Sequence, residues 1–243
     1  VRIGLAAVVG VGGLSCATHT HTNGAARSID DRVRIRGSIV AAKATCMDVF
    51  RTALIAFFVV IFPIGIYYRV ASATSETLDR RQEGVFILAT LRPVAALFWL
   101  GTFAWMIDPG WMAWSSMPVP LGLRYAGIGV LALAGALFVW TFQSLGKNLT
   151  DTVVTRQEST LVAHGPYRWI RHPLYTTVAL LAIAISLLTA NWFLLIIGPV
   201  VFALLVIRTR TEEANLVARF GEGYSGYLRR TGRFLPRVGT RGR

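Results

Sequence analysis

Acidic residues are scarce in this chain. Only 12 Asp and Glu stand against 25 Lys and Arg, and charged residues of both signs make up 15% of the 243. A soluble domain carries about a quarter of its residues charged, so this chain cannot cover a core of its size with a solvated surface. Cysteine is nearly absent: Cys16 and Cys46 alone support neither a disulfide framework nor a thiolate metal site. No His-x-x-x-His or Cys-x-x-Cys pair offers metal ligands. There is no Walker lysine, no glycine fingerprint after a strand and no nucleophile elbow, so a soluble-type active site has no support. The formal net charge of +13 raises nucleic acid as a partner. Apolar blocks separate the basic residues and leave no platform for it, so no nucleic acid is expected.

What the chain has in quantity is apolar sequence, at 54% of residues with a mean hydropathy of +0.54. Four stretches are long enough to span a bilayer: Val49 to Tyr68, Val85 to Ile107, Leu121 to Phe142 and Leu174 to Ile207. The first three, at about 20 residues each, match a hydrocarbon core of about 30 Å at 1.5 Å per residue. The fourth is too long for one helix, and Thr189-Ala190-Asn191-Trp192 interrupts it with turn-forming residues. It is read as two short helices, Leu174 to Leu188 and Trp192 to Ile207, with Pro199 bending the second. The fold class is therefore all-α: a polytopic membrane protein with five transmembrane helices, the last two a short hairpin, and a cytosolic C-terminal helical tail. Gly122, Gly127, Gly129 and Gly135 in the third span read as close helix packing.

Orientation follows from the basic residues. Arg69, Arg80 and Arg81 follow the first span; Lys147, Arg156, Arg168 and Arg171 follow the third; nine arginines lie from Arg208 onward. The segment from Asp108 to Pro120 and the turn at Thr189 carry none. This puts the first helix's start outside and the C-terminus in the cytoplasm, with Trp105, Trp111, Trp114 and Trp192 gathered at the outer interface. The basic residues between Arg2 and Lys43 conflict with an outside start. The first methionine is Met47, directly before the first span, so residues 1–46 are expected to be a non-native or disordered extension. Residues 47–243 then form one membrane domain. The rival reading is a signal sequence with an apolar core from Ile3 to Leu14 and a cleavage site near Leu14-Ser15-Cys16.

Two polar clusters flank the fourth apolar block. Gly165-Pro166-Tyr167-Arg168-Trp169-Ile170-Arg171-His172-Pro173-Leu174-Tyr175 leads into it, with Pro173 placed at a helix first turn, where its missing N–H costs least. Glu212-Glu213 follow it, and Arg208 lies at ion-pair spacing from Glu212. Snorkelling arginines and ordinary solvated charge account for each cluster singly. The short connection makes their ends neighbours and turns two clusters into one candidate site. The tail adds Tyr224 and Tyr227, whose rings can stack on a ligand or anchor at the interface. Arg233-Phe234-Leu235-Pro236 mixes basic and apolar residues suited to anionic lipid. Arg92, before Pro93, is a charge inside the second span that can face a substrate cavity.

From about Leu145 to Pro236 the ordered set Gly165-Pro166-Tyr167, Arg171-His172-Pro173-x-Tyr175, Glu212-Glu213, Phe220-Gly221 and Tyr224-x-x-Tyr227 resembles the isoprenylcysteine carboxyl methyltransferase family. That family is similar to bacterial phospholipid N-methyltransferases and small-thiol S-methyltransferases. The resemblance implies a five-helix enzyme of the bacterial inner-membrane kind that uses S-adenosyl-L-methionine and no metal. It implies that Tyr167, His172, Pro173, Tyr175, Glu212 and Glu213 bind the cofactor and that Arg171 and His172 are catalytic. Arg171, Arg92, Tyr224 and Tyr227 are then substrate-binding, Arg171 by holding a carboxylate. Thr176-Thr177 depart from the pattern, since many relatives carry glycine there.

The implied partners are the lipid bilayer and an apolar or lipidated small molecule. The acceptor is a prenylcysteine-like carboxylate, with a small thiol or lipid amine open beside it, and oligomeric state is left open. A nicotinamide-dependent sterol-type membrane reductase is a rival enzyme class, disfavoured because such enzymes have more spans. A transporter or scaffold is the non-enzyme alternative; charges strung inside the spans would favour it, and they are few.

Overall fold

A computed structural model describes residues 48–72, 85–146 and 161–237, with the side chains of 85–88 excepted. The 1–46 extension, Cys16, Cys46, the Met47 start, Arg80, Arg81, Lys147 and Arg156 lie outside the described residues. Among the described residues six α-helices follow in order: α1 Val49–Ala71, α2 Val85–Ile107, α3 Leu121–Leu145, α4 Pro173–Thr189, α5 Trp192–Phe220 and α6 Glu222–Arg230. The 3-10 segments Pro109–Ser115 and Gly165–Arg168 precede α3 and α4. Among the described residues, extended pairing is confined to the isolated bridges Ser116–Asn191 and Ile170–Gly232.

Among the described residues four helices are long and apolar enough to cross a membrane: Val49–Ala71, Ala89–Ile107, Leu121–Leu145 and Trp192–Phe220. Pro173–Thr189 is equally apolar but shorter, at 17 residues. The protein is an all-α, polytopic membrane protein. Val59, Leu100, Leu133 and Ile196 are exposed, whereas Leu54, Ala134, Ala184, Ile185, Leu188 and Leu194 are buried. That pattern suits a bundle solvated by acyl chains, which also requires every backbone group to be bonded within the helices.

Small residues set the helix contacts. A Cβ on Gly127 would lie 3.1 Å from Leu187 of α4, and one on Gly135 2.8 Å from the Phe57 ring of α1. Gly198 of α5 is 2.9 Å by the same measure from Ala182 of α4. Gly122 and Gly129 have nothing within 4 Å, so the packing expected of four α3 glycines holds for two.

Between α4 and α5 lie only Ala190, in the left-handed region at φ 48°, and Asn191. The Asn191 side chain accepts from Leu194 N at 3.1 Å, capping α5, and donates to Ser115 Oγ at 2.6 Å. At this end two arginines hold carbonyls that helix termini leave without partners. Arg51 donates to Met106 O at 2.8 Å and to Ile107 O. Arg124 donates to Leu188 O at 2.6 Å, pairs with Asp48 at 3.1 Å and stacks over Phe50 at 3.9 Å. Trp111, Trp114 and Trp192 are exposed here, and Trp114 meets Trp192 edge-on at 5.5 Å. Trp105 departs from the expected belt: it is buried in the core, where α2 supplies a large apolar side chain rather than an interfacial one.

At the opposite end α5 does not stop at Ile207. It continues, through Pro199 and past the apolar stretch, to Phe220 over 29 residues, about 43 Å at 1.5 Å per residue. The polar extension carries Glu212 and Glu213 on a rigid helix.

Candidate active site

Glycine opens the segment that leads into the site. Gly165 has φ 59°, which a side chain adopts only with strain, and a Cβ there would overlap Ser144 Oγ on α3. Pro166 follows as the second residue of the 3-10 turn. From Trp169 the chain runs beside the tail: Gly232 N donates to Trp169 O at 3.0 Å, Arg171 N to Gly232 O at 2.9 Å and His172 N to Arg233 O at 3.0 Å. His172 is the residue before Pro173, whose ring restricts it to non-helical backbone, and it forms the N-cap of α4. Its side chain makes no capping bond and turns toward α5.

Glu213 is where the segments meet. Its Oε1 accepts from Arg171 Nε at 2.9 Å and Arg233 Nε at 3.3 Å, and lies 3.1 Å from His172 Nε2; its Oε2 accepts from Arg233 Nη2 at 2.6 Å. A carboxylate held by two guanidinium groups only accepts, so His172 Nε2 carries the proton in this contact. Arg171 also uses Nη1 to hold Leu228 O, at 3.2 Å, and Thr231 O. Glu213 and His172 are buried, and such charge requires pairing of this kind.

Glu212, one residue earlier, is placed differently. Its Oε2 accepts the Tyr175 hydroxyl at 2.8 Å and lies 3.8 Å from His172 Nδ1. Its other oxygen takes no hydrogen bond among the described residues, and its side chain is 28% exposed. The Tyr175 and His172 rings are parallel within 7° at 5.3 Å. Phe234 packs near His172 at 5.9 Å and on Phe202 at 5.3 Å.

Tyr224 and Tyr227 of α6 are buried 5.6 Å apart, and the Tyr227 hydroxyl donates to Tyr167 O at 2.6 Å. Burial pushes the Tyr227 hydroxyl up to about 12, with nearby Arg171 partly opposing it. Desolvation raises Tyr167 and Tyr224 as well, and the neighbouring glutamates add to the effect. All three are neutral donors at any ordinary pH.

Among the residues singled out from sequence, Arg171, His172, Tyr175, Glu212 and Glu213 form one cluster. Pro173 is buried at the start of α4, and Tyr167, Tyr224 and Tyr227 form the wall behind. Arg92 lies exposed on α2. Arg168 stacks over Trp169 at 4.8 Å, while Arg171 turns inward instead of snorkelling.

The tail differs from the expected lipid-facing segment. Arg233 and Phe234 both face the site, Arg233 through Glu213 and Phe234 beside the His172 ring, and only Leu235 is exposed. Sequence gave no signal for Arg233 as a partner of Glu213. Thr176, one of the two departures from the family pattern, donates to Phe234 O at 2.9 Å and fastens that segment. Among the described residues no group of three or more His, Cys, Asp or Glu is placed to hold a metal ion.

The family model for isoprenylcysteine carboxyl methyltransferases matches residues 127–218, which include Arg171, His172, Glu212 and Glu213. A cobalt-zinc-cadmium resistance protein of Cupriavidus metallidurans is 30% identical over 167 residues, 68% of each chain. The chain belongs to the isoprenylcysteine carboxyl methyltransferase family. Protein-S-isoprenylcysteine O-methyltransferase of Schizosaccharomyces pombe is 27% identical over 116 residues, 46% of this chain and about half (49%) of that protein's length. A solved structure of the eukaryotic intramembrane Ras methyltransferase of the family aligns at 22% identity and a TM-score of 0.43, covering 60% of this chain and 52% of that one. The family makes this protein an enzyme of the membrane methyltransferase kind and implies dependence on S-adenosylmethionine.

Proposed function

We propose that the cluster around His172 binds S-adenosylmethionine and that the enzyme methylates an apolar acceptor drawn from the bilayer, a prenylcysteine-like carboxylate in the first place. The observation that carries this reading is the meeting of Arg171 and His172 with Glu212 and Glu213 across about 40 residues of chain.

The donor set suits the cofactor. It bears an ammonium, ribose hydroxyls, a sulfonium and a carboxylate, and Glu212 offers one unengaged, partly exposed oxygen to the first two. Arg171 Nη2 makes no hydrogen bond among the described residues and is suited to a carboxylate, of cofactor or acceptor. The parallel Tyr175 and His172 rings offer π-faces beside these groups, which favour cationic charge. When bound, S-adenosylmethionine supplies a methyl group already activated by its sulfonium. The protein's work is then to hold the acceptor in line and exclude water. A carboxylate acceptor needs no base. With Nε2 protonated, His172 keeps Nδ1 as an acceptor for the proton of a thiol or amine.

An apolar groove of about 690 Å³ between α1 and α3, lined by Phe57, Ile61, Leu131, Gly135 and Val139, ends at Trp140 and Gln143. Trp140 packs against Trp169 at 5.5 Å, beside the segment that leads to His172. This supports an acceptor with a lipid-like chain. The same reading takes α4 as a fifth span and places the site at the cytoplasmic face, with the first helix beginning outside.

The test is a methyl-transfer assay on the detergent-purified protein, with labelled S-adenosylmethionine and a panel of prenylcysteine, small-thiol and lipid-amine acceptors. Label transferred to a prenylcysteine carboxyl supports the full reading. Label on a thiol or amine alone keeps the methyltransferase and changes the acceptor.

A further inference from the structure

Glu212 and Glu213 are neighbours in sequence with different surroundings. Glu213 has both oxygens occupied by Arg171, His172 and Arg233, and its side chain is 11% exposed. Glu212 is more exposed and keeps an oxygen without a described partner. The two carboxylates therefore cannot share one task. The second guanidinium on Glu213 comes from the tail, beyond the 127–218 region that defines the family match.

Arg233 reaches Glu213 through a built connection. The Ile170–Gly232 bridge sets the register, and His172 N donates to Arg233 O, so Arg233 is bound by its backbone to the residue whose ring it helps to hold. A Cβ on Gly232 would overlap the Leu235 carbonyl, so the tail can fold back here only with glycine. Thr176 fastens the next residue, Phe234, by donating to its carbonyl, and the Phe234 ring lies near His172.

We infer that Arg233 is a positioning residue: paired with Glu213, it holds His172 with the proton on Nε2 and leaves Glu212 as the carboxylate that meets the ligand. The assignment of that ligand as S-adenosylmethionine rests on the function proposed above; the hold on His172 does not. A carboxylate orients an imidazole and selects its tautomer through the N–H it accepts. Two guanidinium groups fix where that carboxylate lies, and Arg171 alone leaves Oε2 without its described partner.

Two measurements on the full chain in detergent separate the claims. Nitrogen-15 spectra of histidine-labelled protein read the His172 tautomer without any ligand, with His172→Gln assigning the signal. The parent should show a protonated Nε2 and a bare Nδ1, Arg233→Ala a mixed or averaged ring, and Arg233→Lys a partial return. Arg237→Ala, an exposed tail arginine outside the cluster, should match the parent. Calorimetry with S-adenosylmethionine should show about tenfold weaker binding for Arg233→Ala, partly restored by Lys, and a larger loss for Glu212→Gln. An unchanged His172 spectrum in a folded Arg233→Ala protein overturns the inference. So does a loss of binding accompanied by a fall in melting temperature that Lys does not relieve, since that is a general structural effect. If the parent itself binds no S-adenosylmethionine, the proposed function fails and the histidine spectra still decide whether Arg233 holds the ring.

Discussion

Tyr175 donates its hydroxyl to Glu212 at 2.8 Å, joining the first turn of α4 to the polar end of α5 while its ring lies parallel to His172. One side chain thus aims the carboxylate and lines the proposed ligand site. Tyr175→Phe keeps the ring and removes the donor. It should weaken S-adenosylmethionine binding about tenfold, the value of one hydrogen bond to a charged group, with little change in melting temperature. Calorimetry on parent and variant checks this.

The tail's turn depends on Gly232, and the loop before α4 depends on Gly165. Gly232→Ala and Gly165→Ala each force a Cβ into an occupied position, and Gly165 adds a left-handed backbone. Each should cost about 1 to 3 kcal/mol or disorder its segment, seen as a lower melting temperature and faster proteolysis of the tail. Gly223→Ala, where a Cβ meets nothing within 4 Å, should behave as the parent.

At the far end, Arg124 joins three elements through Leu188 O, Asp48 and the Phe50 ring. Arg124→Ala should destabilise the bundle by about 1.5 to 3 kcal/mol. Arg124→Lys should recover only part of that, because one ammonium cannot reproduce the planar fork. Since this end is remote from the cluster, cofactor affinity in the still-folded variants should equal the parent's.

Alkaline stability offers a separate check. The Tyr227 hydroxyl is raised from its ordinary value near 10 to about 12, so the unfolded chain loses that proton first. Its contribution is fully present below about pH 10 and is lost as pH rises toward about 12. Melting temperature should fall across that window, and Tyr227→Phe should flatten the fall. The same variant should lose about 1 kcal/mol at neutral pH with the bond to Tyr167 O. An unchanged alkaline profile would show that Tyr227 is not desolvated as described.

The helices were legible because apolar runs of about 20 residues have few alternatives. The meeting of Arg171 with Glu213 was legible for a similar reason: a turn of Ala190 and Asn191 leaves the ends of α4 and α5 little room to part. Hydropathy stops at Ile207 and so could not show α5 continuing to Phe220, where helix persists on polar residues that pack against the tail. Trp105 carries no mark that separates a core indole from an interfacial one. Arg233 was hidden more deeply, because its partner is set by a parallel bridge between segments 62 residues apart, which no local pattern records. Its mixture of basic and apolar neighbours pointed to lipid instead.

The central claim is that Glu212, at the meeting of α4 and α5, faces the cofactor. Calorimetric titration of the detergent-purified protein with S-adenosylmethionine, parent beside Glu212→Gln, tests it most directly. The account predicts measurable binding by the parent and a tenfold to hundredfold loss in the variant, as expected when a charge-assisted contact of about 1.5 to 3 kcal/mol is removed. Equal affinity in the two folded proteins would contradict it.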